Sequence, residues 1–165
     1  MAYPNRNQRP HQGRGGQAAP KRLPEAQSQP RPYRTEAGNL DPFWVNQKAE
    51  EEAQAFAALP PTQLRRFFDE VKGLKRQIDL LTSQEKGEAR LEPEAAWGRV
   101  HPQFAMLKSK VVYAAGRLGK NMPTAFVQFV VNHVGWVRTH QDFEDFLVHF
   151  EAVVGFHRFL TTAKG

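Results

Sequence analysis

The 165-residue sequence contains no cysteine. That excludes a disulfide framework, a thiolate-ligated zinc site and a cysteine nucleophile, and it suits a reducing compartment such as the cytoplasm. Long apolar runs are also missing. None approaches the roughly 18 residues that a membrane-spanning helix requires, and the polar, proline-bearing N-terminus lacks the apolar stretch of a secretory signal. No segment alternates apolar and polar residues with the period of two that marks a strand. From Ala95 to Gln141, finally, there is not one Asp or Glu. Surface helices normally mix signs, because Glu–Lys pairs one turn apart contribute about 0.2–0.5 kcal/mol each.

What is present is unevenly distributed. The net charge is +6, and Arg6, Arg9, Arg14, Lys21, Arg22, Arg31 and Arg34, set against Glu25 and Glu36, place five of those six charges within residues 1–40. This stretch is rich in Pro, Gln and Gly and has no aliphatic periodicity. It cannot bury enough apolar surface to offset its ordering entropy. Residues 1–40 are therefore expected to form a disordered basic tail, with one RGG-like triplet in "GRGG" (13–16), and residues 41–165 a helical domain. The latter part is nearly neutral, so only local clustering gives it a surface for a polyanion.

From residue 41 the apolar residues recur at helical spacing. In "DPFW", Asp41 and Pro42 read as the cap and first position of a helix that runs through "KAEEEAQAFAAL" to Pro60 and Pro61. Thr62 is expected to cap the next helix, where Leu64, Phe67, Phe68, Val71, Leu74, Ile78 and Leu81 form one stripe. "TSQEKGEARLEP" is a polar linker. "EAAWGRV" makes a short helix interrupted before Pro102. Phe104, Leu107, Val111, Ala114, Ala115 and Leu118 mark a third stripe, which Gly119 ends. Pro123 opens a helix with Phe126, Phe129, Val130, His133 and Val134. Thr139 with Asp142 gives a capping-box pattern before a last helix bearing Phe143, Phe146, Leu147, Phe150, Val153, Val154, His157 and Leu160. The fold class is all-α, a small bundle of about five helices preceded by the tail.

The acid-free interval holds the candidate site. At about 100° per residue, Lys110, Tyr113 and Arg117 share the face opposite the apolar stripe, and Lys120 extends the row. Lys108 adds a further cation. A second cluster, Arg65, Arg66, Lys72, Lys75 and Arg76, opens the Thr62 helix, where Arg65 and Arg66 oppose the helix dipole. Asp69 and Glu70 are available to pair with it. Lys and Arg in such rows bind phosphates without reading bases, and Tyr113 is placed to stack on a base or ribose. Catalytic motifs are lacking. "AAGRLGKN" falls short of a phosphate loop in spacing and lacks the hydroxyl residue. The histidines lack HExxH spacing, His133 and His157 read as core residues, and Glu144, Asp145 and Glu151 read as a solvated flank. No catalytic residue, metal site or cofactor is expected. The basic tail lacks the apolar face of a membrane-surface helix. Phe156 and Phe159 lie opposite Phe146, Phe150 and Val153 on the last helix. Such a two-sided helix is covered either by another subunit or by the N-terminal helix with Trp44.

Three blocks, "TQLRRFFDEVKGL" (62–74), "KSKVVYAAGR" (108–117) and "FEDFLVHFEAVVGFHRF" (143–159), occur in an order and spacing that resembles the small-subunit family of type III-A (Csm) CRISPR effector complexes. The likeness spans roughly residues 60–162 and leaves the tail outside it. Phe156 stands where the family often has tyrosine. The resemblance implies a non-enzymatic helical protein that stacks in several copies beside the backbone subunits and large subunit. In that setting it contacts guide RNA and target RNA through their backbones, in antiviral defence. It points to Thr62, Gln63 and Arg65, and to Lys110, Tyr113, Gly116 and Arg117. Composition alone also admits a helical RNA-binding protein of another system, including a type III-B small subunit, or a helical protein-interaction module without nucleic-acid contact.

Overall fold

A computed structural model describes residues 19–83 and 89–162. Its elements are α1 (Pro42–Val45), α2 (Gln47–Ala55), α3 (Pro61–Thr82), α4 (Pro93–Ala105), α5 (Leu107–Leu118), a 3₁₀ turn (Gly119–Asn121), α6 (Thr124–Trp136) and α7 (His140–Thr162). Among the described residues there is no strand, and five of the helices have 12 residues or more. The expected all-α bundle is what the chain forms. α7, the longest, runs through the middle and packs against α1, α2, α3 and α4.

The helix boundaries follow local chemistry. Asp41 caps α1 by accepting from the Phe43 N–H at 2.9 Å, and Pro42 takes the first position, where its missing N–H costs nothing. Thr139 and Asp142 form the expected reciprocal box, Asp142 N–H to Thr139 Oγ1 at 3.1 Å and Thr139 N–H to Asp142 Oδ2 at 3.2 Å. Gly119 ends α5 at φ +56°, a conformation glycine adopts without steric penalty. Three expectations differ. The first helix is broken at Asn46 and finishes at Ala55. Thr62 lies inside α3, whose cap and first position are Pro60 and Pro61. α4 continues through Pro102, and the interruption falls at Met106. Burial of Trp97, Val100 and Phe104 on both sides of Pro102 outweighs a lost bond of about 3 kcal/mol, since each such side chain contributes about 1.5–3 kcal/mol. Gly98, whose carbonyl Pro102 leaves unbonded, is exposed to water.

Aromatic rings fill the core. Phe56, Phe126, Phe129, Phe146 and Phe150 meet at centroid separations of 5.1–6.1 Å, and Trp97, Phe104 and Phe143 form a second group. Trp44 is fully buried, with its ring against His149 and His133.

The segment before α1 departs from the expectation of disorder up to residue 40. Residues 25–40 form a strap across α6 and α7, extended as far as Pro32 and then folded back in a turn closed by the Arg34–Leu40 bridge. Its backbone is held by side chains of the bundle: Gln128 Nε2 donates to the Glu25 carbonyl at 2.8 Å, Trp136 Nε1 to Gln27 at 2.8 Å and Trp44 Nε1 to Pro32 at 2.9 Å. Tyr33 is buried. Arg34 grips Asp145 with two bonds, at 2.8 and 3.0 Å. Asp145 is 3% exposed, so it is a structural anchor and not part of the solvated flank that the sequence suggested. The strap lies so close to α6 that a Cβ on Gly135 would come within 2.6 Å of Ala26 Cβ. Residues 1–18 lie outside the described residues, as does much of the expected linker at 84–88.

Candidate nucleic-acid interface

α5 carries the cationic row where the 3.6-residue period puts it. Leu107, Val111 and Ala114 are buried, while Lys110, Tyr113 and Arg117 are exposed on the other side, Tyr113 at 74%. Lys120 follows in the 3₁₀ turn and is also exposed. Lys108 is half-buried at the edge of the row. On α3, Arg65 and Arg66 are exposed and border a shallow open depression with Thr62, Asp69 and Glu70.

The two sets meet at one carboxylate. Glu70 Oε2 lies 2.7 Å from Lys110 Nζ. Arg66, one turn before Glu70, is its neighbour on the same helix face. The α5 row is therefore not free of acids in space. Glu70 reaches it from 40 residues away in sequence. Lys72 is also paired, with Asp69 at 3.2 Å, and its ammonium sits 4.8 Å over the Phe68 ring. Among the described residues, Arg65, Arg66, Lys108, Arg117 and Lys120 form no ion pair, and Tyr113 forms no side-chain hydrogen bond. Around the Lys110–Glu70 contact, Arg65, Arg66, Arg117 and Lys120 are thus exposed and unpaired among the described residues, whereas Lys72, about 200° from Glu70 on the helix wheel, lies over Phe68 on the side of α3 that meets α7.

Toward the C-terminal end of α7, Phe159 is 70% exposed and Phe156 is partly buried. Both line an open apolar groove with Val45, Ala152, Gly155 and Leu160. Glu50 and Gln54 of α2 form its other wall. Trp44 does not cover these rings, because it is packed in the interior against the histidines.

That interior holds a group the sequence reading missed. Glu52 from α2, His133 from α6 and His149 from α7 bring their ligating atoms within 4.8 Å of one another, and all three are buried. His149 Nε2 is 2.6 Å from Glu52 Oε2, and His149 Nδ1 donates to the Trp44 carbonyl. His133 Nδ1 is hydrogen-bonded to the Tyr33 hydroxyl at 2.7 Å, while its Nε2 lies 3.7 Å from Glu52 Oε1 and has no hydrogen-bond partner. Burial pushes His133 down to about 4. Burial pushes Glu52 up, but the two imidazoles outweigh it and hold the carboxyl down to about 2. Burial raises the Tyr33 phenol well above its usual value, so it stays neutral. Spacing held a signal for Glu52, since Ala49, Glu52, Ala53 and Phe56 recur at three- and four-residue steps along a buried face. Its place in the run Glu50–Glu51–Glu52 made it look solvent-facing. His157, expected in the core, is buried against the backbone of Phe56 and Leu59.

Among the described residues no helix is long and apolar enough to cross a membrane. Neither curated proteins nor solved structures give a match to the chain. A family model described as Csm2 Type III-A does match, over residues 40–163. It takes in every described helix and leaves out the strap before its last residue. All-helical architecture, the three sequence blocks and this match agree, and the chain belongs to the Csm2 family, the small subunits of type III-A CRISPR (Csm) complexes.

Proposed function

We propose that this protein is a non-catalytic subunit that contacts the backbone of guide and target RNA without reading their sequence, and that several copies stack within the effector complex in antiviral defence. The observation that carries this reading is the α3–α5 surface, where Arg65, Arg66, Arg117 and Lys120 are exposed without ion pairs among the described residues and the ring of Tyr113 is exposed on α5. A subunit used with any guide must ignore base identity. The A-form shape and phosphates of paired RNA offer contacts of that kind. Lys110 joins by exchange. Its link to Glu70 is a surface pair, with side chains 47% and 34% exposed, and such pairs hold about 0–1 kcal/mol. A phosphate can replace Glu70 at little cost. Lys72 exchanges Asp69 in the same way, and Lys108 contributes from the edge of the row. Phe156 and Phe159 present the apolar groove to a neighbouring copy, a backbone subunit or the large subunit.

The test is charge reversal at positions without a structural partner. Arg117→Glu combined with Lys120→Glu should remove RNA binding by the isolated subunit at low salt and weaken target RNA capture by the assembled complex, with circular dichroism unchanged. If one subunit meets two to four phosphates, the wild-type log–log salt slope on single strands is roughly −1.4 to −2.8, with little sequence dependence. Wild-type RNA affinity in the folded double variant would be evidence against this reading.

A further inference from the structure

We propose that Glu52, His133 and His149 form an interior binding site for one divalent transition-metal ion of the zinc class, which ties α2, α6 and α7 together. Two imidazole nitrogens and one carboxylate are a ligand set that zinc accepts, with a remaining position left to a small ligand such as water. No thiolate is needed, and imidazole suits this part of the transition series.

Three observations converge on this assignment. First, both histidines are engaged at Nδ1, His149 by the Trp44 carbonyl and His133 by the Tyr33 hydroxyl. That leaves both Nε2 atoms directed at the same carboxylate. Metal-binding histidines are oriented by this pattern, in which the second nitrogen is held by a carbonyl, hydroxyl or carboxylate. Second, His133 Nε2 is a fully buried polar atom without a partner. Such atoms are rare because leaving them unsatisfied is costly. In the tautomer in which His133 Nδ1–H donates to Tyr33, the Nε2 lone pair points into the cluster, where it is the donor a metal requires. Third, the spacing is close to what an ion demands. Bonds of about 2.0–2.1 Å in a tetrahedron separate ligand atoms by roughly 3.3 Å. His133 Nε2 lies 3.7 Å from Glu52 Oε1 and His149 Nε2 2.6 Å from Glu52 Oε2, and one ligand atom from each of the three residues falls within 4.8 Å of the others.

One nearby cation must be accommodated. Lys48 Nζ lies 3.9 Å from Glu52 Oε1 and 3.6 Å from Glu51 Oε1. Glu51 is exposed, and Lys48 can transfer to it when the ion takes Glu52. Because the three ligands are buried beneath Trp44 and Tyr33, the ion has no route to a substrate. Its role is structural, and loading accompanies folding.

Full-length untagged protein, stripped with a chelator and dialysed, would be titrated with zinc chloride by calorimetry and thermal denaturation. The expected result is one ion per chain and an unfolding midpoint that rises with zinc concentration. Tyr33→Phe keeps the ring but releases His133, and should weaken zinc binding by about 10–100-fold. His133→Gln should weaken it further. Where that variant fails to fold, X-ray absorption at the zinc edge of the wild-type complex decides, and two imidazole ligands are expected. Failure of the wild-type chain to retain zinc would overturn the proposal and leave the cluster as a proton-sharing ion pair. Stoichiometric binding by folded His133→Gln, or a zinc edge without two imidazoles, would place the ion on surface histidines and overturn it equally.

Discussion

Arg34 and Arg117 are the same residue put to opposite uses. Arg34, on the strap, meets Asp145 with two bonds to a carboxylate that is almost wholly buried. Arg117, on α5, is exposed and has no acidic partner among the described residues. The first arrangement fixes geometry, because removing Arg34 leaves the buried Asp145 carboxylate without its charge partner. The second leaves a charge available to something outside the chain. The same contrast separates Glu52, which faces two buried imidazoles, from Glu70, which holds Lys110 only at the surface. Arg34 and Glu52 have fixed partners, Lys110 and Lys72 have exchangeable surface ones, and Arg117 has none among the described residues.

The largest test of that contrast removes the wall between strap and interior. Trp44 holds the strap through Pro32 and covers both histidines. Trp44→Ala should cost about 3–5 kcal/mol in urea denaturation and expose strap amides to exchange. A loss below about 1 kcal/mol would show that the strap is held elsewhere. Acid comes next. His133 is held down to about 4, and His157 below 6.5 because of its burial, so the unfolded chain takes up their protons first as pH falls. Stability should therefore be full above about 6.5, fall as pH drops toward 4, and fall further from 4.5 to about 2 as the unfolded form of Glu52 protonates. Denaturation curves across that range measure the slope. A flat profile between 6.5 and 4 would show that these rings titrate as if solvated. The smallest effects sharpen the arginine comparison itself. Arg34→Ala should lower the unfolding midpoint because Asp145 loses its partner, whereas Arg117→Ala should shift stability by less than about 0.5 kcal/mol while weakening RNA binding. Equal stability losses in the two variants would remove the distinction.

The bundle was legible because its stripes are long. Leu64 to Ile78 on α3 and Phe143 to Val153 on α7 repeat over several turns, and a period of that length has few other readings. Gly119 and the Thr139–Asp142 box were legible for local reasons. The strap was not, since an extended chain anchored by single bonds from Gln128, Trp136 and Trp44 leaves no period to detect. Pro102 misled because its local penalty was weighed without the burial on either side of it. Within the candidate interface, the exposed row on α5 could be read from the wheel, but Glu70 could not be placed beside Lys110. Their approach is set by how α3 and α5 pack, and helix periodicity does not encode it. Likewise, His133 could be assigned to the core, but not to the company of Glu52 and Tyr33.

The strap also imposes an order on assembly. Its anchors lie far downstream: Tyr33 waits for His133, 100 residues on, and Arg34 for Asp145, 111 residues on. On a ribosome the strap emerges before α6 and α7, and it lacks its main anchors until both have been made. Closing such long loops is slow compared with forming the local helical contacts. A segment made before its docking surface is thus the last to find its place, and until it does Trp44 and the histidines beneath it stay open to solvent and its solutes.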